Sequence, residues 1–296
     1  MLQVANLEKS YGDIRVLQGL SFELKLGEVY GLLGANGAGK TTTINIICNL
    51  LKADSGTVKI NNQVVSQVTK SWLGVAPQEN LLYKSLNCEQ NLHFFAQIYG
   101  LNKQQRRQQV AANLAAVNLT NKAKCAVENL SGGMQRRLNI ATALVHNPRL
   151  LILDEPTTGL DIEARYEIWE LIRRLRSQGM TILLTTHLLD EAERLCDRVG
   201  ILKQGQIVAE GSLDELRSRI PAAEVVIIQT KDESKAIARA EELGYPVRRY
   251  GGDLAFWLPK PLELSEILTQ FPGITLDSLA RQPVRLEHIY LEVTQD

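Results

Sequence analysis

Eight consecutive residues, Gly34 to Thr41 (Gly-Ala-Asn-Gly-Ala-Gly-Lys-Thr), carry the first chemistry in this sequence. They match the phosphate-loop pattern: glycine, any four residues, glycine, lysine, then serine or threonine. At average residue frequencies, roughly one chain in a hundred of this length matches it by accident. Gly34, Gly37 and Gly39 are expected to turn the backbone tightly at positive φ. The amides along Gly34, Ala35, Asn36, Gly37, Ala38 and Gly39 then form an anion nest. The apolar run Val29 to Leu33 leads in as a strand. The run Thr42 to Leu51 leads out as a helix whose positive end faces the same point. Lys40 supplies a point charge for the β- and γ-phosphates, and the Thr41 hydroxyl is placed to ligate Mg²⁺.

Two further segments suit a nucleotide held there. Asp154 and Glu155 follow the apolar run Leu150-Leu151-Ile152-Leu153. At the C-terminal end of a buried strand, two acids divide the labour: Asp154 holds Mg²⁺ through water and Glu155 polarises the attacking water as general base. Without a phosphate loop upstream, they would read as the solvated start of a loop. Leu130-Ser131-Gly132-Gly133-Met134-Gln135 places an N-cap serine and two glycines at a helix start, a second anion site in the same chain. Alone it would be an ordinary capped helix, but one nucleotide does not need two helix N-termini from such separate regions.

Together, and in this order, these motifs resemble the ATP-binding cassette (ABC) family over residues 1 to about 215. That family pairs two such domains head to tail, the signature segment of one closing on the γ-phosphate held by the other. The resemblance implies that Tyr11 stacks on adenine and that Gln78, in Val75-Ala76-Pro77-Gln78, reaches the metal and the water. It implies that Asp161, after Gly159-Leu160, lies at the dimer seam and that His187 clamps the γ-phosphate and Glu155. Ser131, Gly132 and Gly133 would meet the partner's nucleotide. Met134 stands where many members go directly to glutamine, so the glutamine role is carried to Gln135. With Glu155 and His187 both present, an active ATP hydrolase using ATP and Mg²⁺ is expected.

Between Lys40 and Ser131 there is no long heptad region, and the chain has one phosphate loop. The small helical insertion and the C-terminal accessory domain resemble those of the detached ATPase subunit of type-2 exporters of drugs, lipids, polysaccharides and nodulation factors. That implies a separate membrane permease as partner, a homodimer or a heterodimer with a related ATPase, and a place on the cytoplasmic face of the inner (plasma) membrane. The competing class is a soluble ATPase of the same family acting on nucleic acid or ribosomes. The sequence does not name the transported molecule.

The totals agree. The 296 residues are 45% hydrophobic and 22% charged, as in ordinary globular chains. Lys plus Arg and Asp plus Glu both number 33, so the basic excess of a bulk nucleic-acid binder is missing and no nucleic-acid partner is expected. No apolar run nears the ~18 residues of a membrane helix, and no basic-then-apolar leader suggests a secretory signal. Cys48, Cys88, Cys125 and Cys196 are scattered without metal spacing, so free thiols are expected.

The elements that must position these residues follow from periodicity. Residues 2–25 and 57–60 form antiparallel strands. Residues 88–147 form a mostly helical insertion. From Leu150, buried strands (150–153, 181–185) alternate with helices (162–178, 188–196), predicting a parallel sheet. After Pro221 the order is β-α-β-β-α-β with a closing helix, 286–293. The expected fold is α/β: a phosphate-loop NTPase core with a parallel sheet, an N-terminal antiparallel β subdomain and an inserted helical subdomain (about 88–147). Residues 1–215 make the nucleotide-binding domain, and 221–296 a small α+β accessory domain.

Overall fold

Alternating apolar residues along the N-terminus build an antiparallel sheet. In the computed structural model, which describes residues 1–294, β1 (Leu2–Tyr11) and β2 (Ile14–Leu24) pair across Gly12-Asp13. Leu2, Val4 and Leu7 of β1 and Leu20, Phe22 and Leu24 of β2 are buried. β3 (Val29–Leu33) is buried at every position, as a strand covered on both faces should be. The helix after the phosphate loop, α1 (Lys40–Ile47), stops four residues earlier than its apolar run suggests. Asn49 sits at φ 52°, and Leu50 and Asn49 donate to the carbonyls of Asn45 and Ile46, a helix-ending Schellman pattern.

β4 (Ser55–Ile60) joins β1 and turns at Asn61-Asn62 into β5 (Gln63–Val64), giving the sheet order β2-β1-β4-β5. β6 (Leu73–Ala76) is a short parallel strand that periodicity did not reveal. The helical segment follows: α2 (Cys88–Ile98), α3 (Lys103–Ala116) and α4 (Gly132–Leu144). Asn87 with Gln90, and Asn102 with Gln105, form reciprocal capping boxes at the starts of α2 and α3.

The core continues through β7 (Leu150–Asp154), α5 (Ile162–Ser177), β8 (Thr181–Thr186), α6 (Leu189–Leu195) and the hairpin of β9 (Arg198–Lys203) and β10 (Gln206–Gly211). Their sheet order is β10-β9-β3-β8-β7-β6. β9, β3, β8, β7 and β6 are parallel and β10 is antiparallel to β9. The C-terminal ends of four neighbours therefore align. Leu33 pairs with Thr186, Asp154 with Thr185, and Ala76 with Leu153. Ligands of open α/β sheets bind at such carboxyl ends.

The chain divides into two compact units, Met1–Ser212 and Leu213–Asp296. The second holds α7 (Leu213–Arg217), β11 (Glu224–Thr230), α8 (Glu233–Glu242), β12 (Val247–Tyr250), β13 (Asp253–Leu258), α9 (Leu264–Gln270), β14 (Leu276–Pro283) and α10 (Leu286–Thr294). Its antiparallel sheet, ordered β12-β13-β11-β14, is the split βαβ arrangement expected from the element order. Val226, Ile228, Leu254 and Phe256 pack against Ala236, Ala240 and Ile267 of α8 and α9. The last two residues of the expected range 221–296 lie outside the described residues.

Gly74 shows how tightly β6 sits on α4. A Cβ there would lie 2.1 Å from the Ala143 carbonyl oxygen, a backbone atom that cannot swing aside. Gly74→Ala is expected to cost about 1–3 kcal/mol through overpacking, read as a lower midpoint in thermal or urea unfolding. An unchanged midpoint would show that β6 and α4 part freely.

Candidate functional site

Four strand ends deliver the predicted side chains. Gly34 leaves β3, Gln78 follows β6 by two residues, Glu155 follows β7, and His187 follows β8. The Gly34 amide donates to Thr186 O (3.2 Å) and the Glu155 amide to Thr185 O (3.0 Å), extending the ladder into both loops.

Within the phosphate loop the glycines have two jobs rather than one. Gly37 and Gly39 sit at φ 82° and 109°. Gly34 does not turn at positive φ, a correction to the sequence expectation: a Cβ there would meet Leu202 O at 2.6 Å, so it is glycine because backbone approaches backbone. Gly39 caps α1 without a side chain, so the first amides of the helix, from Lys40, Thr41 and Thr42, have no intrahelical or side-chain partner. Ala35, Asn36 and Gly37 are exposed at the loop tip, and Ala38 is buried beneath it.

Lys40, only 5% exposed, folds back over its own loop. Its Nζ donates to Gly34 O (2.8 Å) and Ala35 O (3.1 Å) and lies 3.2 Å from Glu155 Oε1. The other oxygen, Oε2, accepts from Thr158 Oγ1 (3.2 Å) and, at 3.4 Å, from Gln78 Nε2. His187 Nδ1 is 3.2 Å from it, near enough to pair when protonated but out of line for a hydrogen bond. Burial pulls the Glu155 carboxyl up, but His187 and Lys40 outweigh it and hold the group below the usual carboxylate range. Glu155 is thus a carboxylate at neutral pH. It sits at φ 45°, an uncommon conformation for a non-glycine residue. Asp154 is buried beside it, its Oδ1 accepting from the Thr185 hydroxyl.

The signature residues form a second cluster. Ser131 caps α4, its Oγ accepting from Met134 N (3.2 Å). Gln135 turns back to donate to Leu130 O (3.1 Å), so its amide braces the loop. Gly132 is exposed and its missing Cβ would touch Leu160 only at 3.8 Å, whereas one on Gly133 would stand 2.6 Å from the Ala164 Cβ. Asp161 caps α5 through Ala164 N (2.8 Å). Tyr11 is half exposed at the end of β1, with Lys9 Nζ 5.7 Å from its ring.

Sequence reasoning missed Arg136. It is buried in α4 and donates to carbonyls beside Gln78 and Glu155. The available signal was the pair Arg136-Arg137 inside a helix with no other charged residue.

The donor set suits a metal–triphosphate. Free helix-start amides and Lys40 suit phosphate oxygens, and Thr41, Asp154 and the Gln78 amide carry the oxygen donors a hard cation prefers. Thr41 and Asp154 line one cavity of about 340 Å³. Among the described residues no cluster of three or more His, Cys, Asp or Glu marks another metal site.

Comparison with known proteins points the same way. A family profile described as "ABC transporter" matches residues 17–158. The chain is 45% identical over 223 residues to the linearmycin resistance ATP-binding protein LnrL of Bacillus subtilis, covering 74% of this chain and 72% of that one. It is 40% identical to the Nod factor export ATP-binding protein I of Burkholderia orbicola, over 98% of this chain and 95% of that one. Among solved structures, an ATP-binding subunit of an ABC transporter matches with TM-score 0.66 and 32% identity over 74% of this chain and 92% of that one. A dimeric ATP-binding cassette in a post-hydrolysis state with ADP and Pi matches with TM-score 0.64 and 28% identity, over 72% and 98%.

The two signature glycines are expected to differ on substitution. Gly133→Ala should lower stability by about 1–3 kcal/mol, because the new methyl meets Ala164 on a packed helix. Gly132→Ala should leave the melting temperature within a degree or two of wild type. Equal melting curves for the two variants would mean that α4 does not seat on α5 through Gly133.

Proposed function

Because this chain belongs to the ABC transporter family, as an ATP-binding subunit that hydrolyses ATP, we propose that it powers an exporter. Residues 1–215 serve as the nucleotide-binding domain, with 88–147 as its helical subdomain, and 221–296 as an accessory domain. The named relatives that support the export reading are a Nod factor export protein and a linearmycin resistance protein. No described helix is long and apolar enough to cross a membrane. In this reading a separate permease supplies the path for the cargo, and this subunit sits on the cytoplasmic face of the inner (plasma) membrane.

The observation that carries the mechanism is the convergence of Lys40, Gln78, Thr158 and His187 on one buried carboxylate, that of Glu155. Glu155 accepts a proton from the attacking water, and Gln78 and His187 orient that water and the γ-phosphate. Lys40 exchanges its loop carbonyls for phosphate oxygens, a charge-assisted bond in place of neutral ones. Thr41, Asp154 and Gln78 would hold Mg²⁺, which supplies neutralisation of the charge shared by the β- and γ-phosphates. Tyr11 is the adenine platform.

Ser131, Gly132, Gly133 and Gln135 lie in a cluster of their own, packed on α5 near Leu160, and Asp161 starts that helix. This arrangement suits a head-to-tail dimer of two copies, or of this chain with a related ATPase, in which each signature segment completes the other's pocket. Moving a two-state closure from mostly open to mostly closed takes about 5.5 kcal/mol. Hydrogen bonds to charged groups contribute roughly 1.5–3 kcal/mol each, so two completed pockets reach that total more readily than one. The permease docks beside the loop after Gln78. There Leu81 and Tyr99 line, with Ile44 and Lys70, the same cavity that Thr41 and Asp154 line.

Glu155→Gln tests the reading. The purified variant is expected to bind ATP, to elute as a dimer with MgATP, and to turn over at least about a hundredfold more slowly than wild type. Hydrolysis near the wild-type rate would remove Glu155 as the base.

A further inference from the structure

The guanidinium of Arg136 meets four backbone carbonyls at the ends of two neighbouring strands, β6 and β7. Nη1 donates to Pro77 O and to Gln78 O (3.1 Å), Nη2 to Asp154 O (2.8 Å) and Nε to Pro156 O (2.8 Å). The side chain is 3% exposed. Burial brings its pKa down to about 10, against the opposing charges of Asp154 and Glu191, so it remains a cation at neutral pH. A buried cation satisfied by carbonyls, with no carboxylate bound to it, is a costly way to fill space. Its placement explains the cost. The β6–β7 ladder runs from Leu73/Leu150 to Ala76/Leu153. Beyond it the chains carry Pro77 and Pro156, which have no N–H to continue the pairing. Arg136 supplies the missing donors where the ladder fails, and those carbonyls flank Gln78 and Glu155.

We propose that Arg136 is a positioning residue that couples the signature segment to hydrolysis: the helix that begins beside Ser131 grips the backbone at Gln78 and on both sides of Glu155 through one planar fork. Arg136 is the fifth residue after Ser131, so a shift of α4 when its start engages a nucleotide is passed to both side chains at the water. The inference rests on the assignment of Glu155 and Gln78 to hydrolysis. Neighbouring Arg137 provides the contrast. It is equally buried on the same helix but turns to Val117 O (3.0 Å) and Glu167 (3.3 Å), away from the strand ends.

The test compares Arg136→Lys with Arg137→Lys in the full chain. An ammonium keeps the charge but cannot span four carbonyls in a plane. Arg136→Lys is expected to lower kcat at least tenfold while KM for MgATP stays within threefold. Gln78→Ala is expected to cost less in that background than in wild type, because the two changes damage one arrangement. Arg137→Lys should keep kcat within twofold. Arg136→Gln is the second variant, and the same split between kcat and KM is required of whichever folds. Equal losses in the two lysine variants, a kcat within twofold of wild type for Arg136→Lys, or multiplicative costs with Gln78→Ala would overturn the proposal. Wild type and Glu155→Gln run alongside. If the underlying assignment fails, Glu155→Gln hydrolyses ATP; if only this inference fails, Glu155→Gln is inactive and Arg136→Lys behaves as wild type.

Discussion

A charged carboxylate held out of water is the constraint around which the core of this protein is built. Glu155 is about nine-tenths buried, and an unpaired buried carboxylate would neutralise itself by taking up a proton. Lys40 prevents that from one side and His187 from the other, while Gln78 and Thr158 donate to its oxygen. Lys40 arrives at the start of α1, Gln78 and His187 on the loops after β6 and β8, and Thr158 on the loop of Glu155 itself, so the position of the carboxylate reports the position of all of them. The positive φ of Glu155 belongs to the same arrangement. The residue leaves β7 with its amide bonded to Thr185 O and turns its side chain toward Lys40, a conformation that the surroundings must impose.

What imposes it is the sheet. β3, β8, β7 and β6 lie side by side and parallel, with their carboxyl ends in register. Parallel pairing needs long crossovers, and those crossovers hold the helices that cover the sheet. Lys40, Gln78 and His187 are thus separated from Glu155 by tens of residues or more in sequence and by one or two strand spacings in space. At the β6–β7 edge the pairing ends at two prolines, and a side chain from α4 takes over as donor. The helix that starts at the signature residues is in this way wired to the loops that hold Gln78 and Glu155.

The signature cluster has a different character. Ser131 and Gln135 spend their polar atoms on their own helix start, and Gly133 is glycine because Ala164 leaves no room for more. Such a cluster is rigid and prepared, with an exposed glycine at its tip. The second unit answers a separate folding problem. Its split βαβ sheet buries Val226, Ile228, Leu254 and Phe256 under two helices, a core of its own.

The order of the chain revealed much of what depends on near neighbours. The phosphate loop, the capped start of α5, the Asn61-Asn62 and Gln204-Gly205 turns and the βαββαβ order are all governed by backbone freedom, caps and periodicity over a few residues. Where a non-local contact ruled, the same reasoning failed. Gly34 is glycine because of Leu202, β6 is too short and too ordinary to announce itself, and Arg136 has its acceptors only after two strands lie together. The sequence by itself thus determined which groups were present and what chemistry they could perform. Only the tertiary structure decided which of them meet, because the sheet order that sets residues 40, 78, 155 and 187 around one carboxylate is settled by packing across the whole core, not by any local stretch of chain.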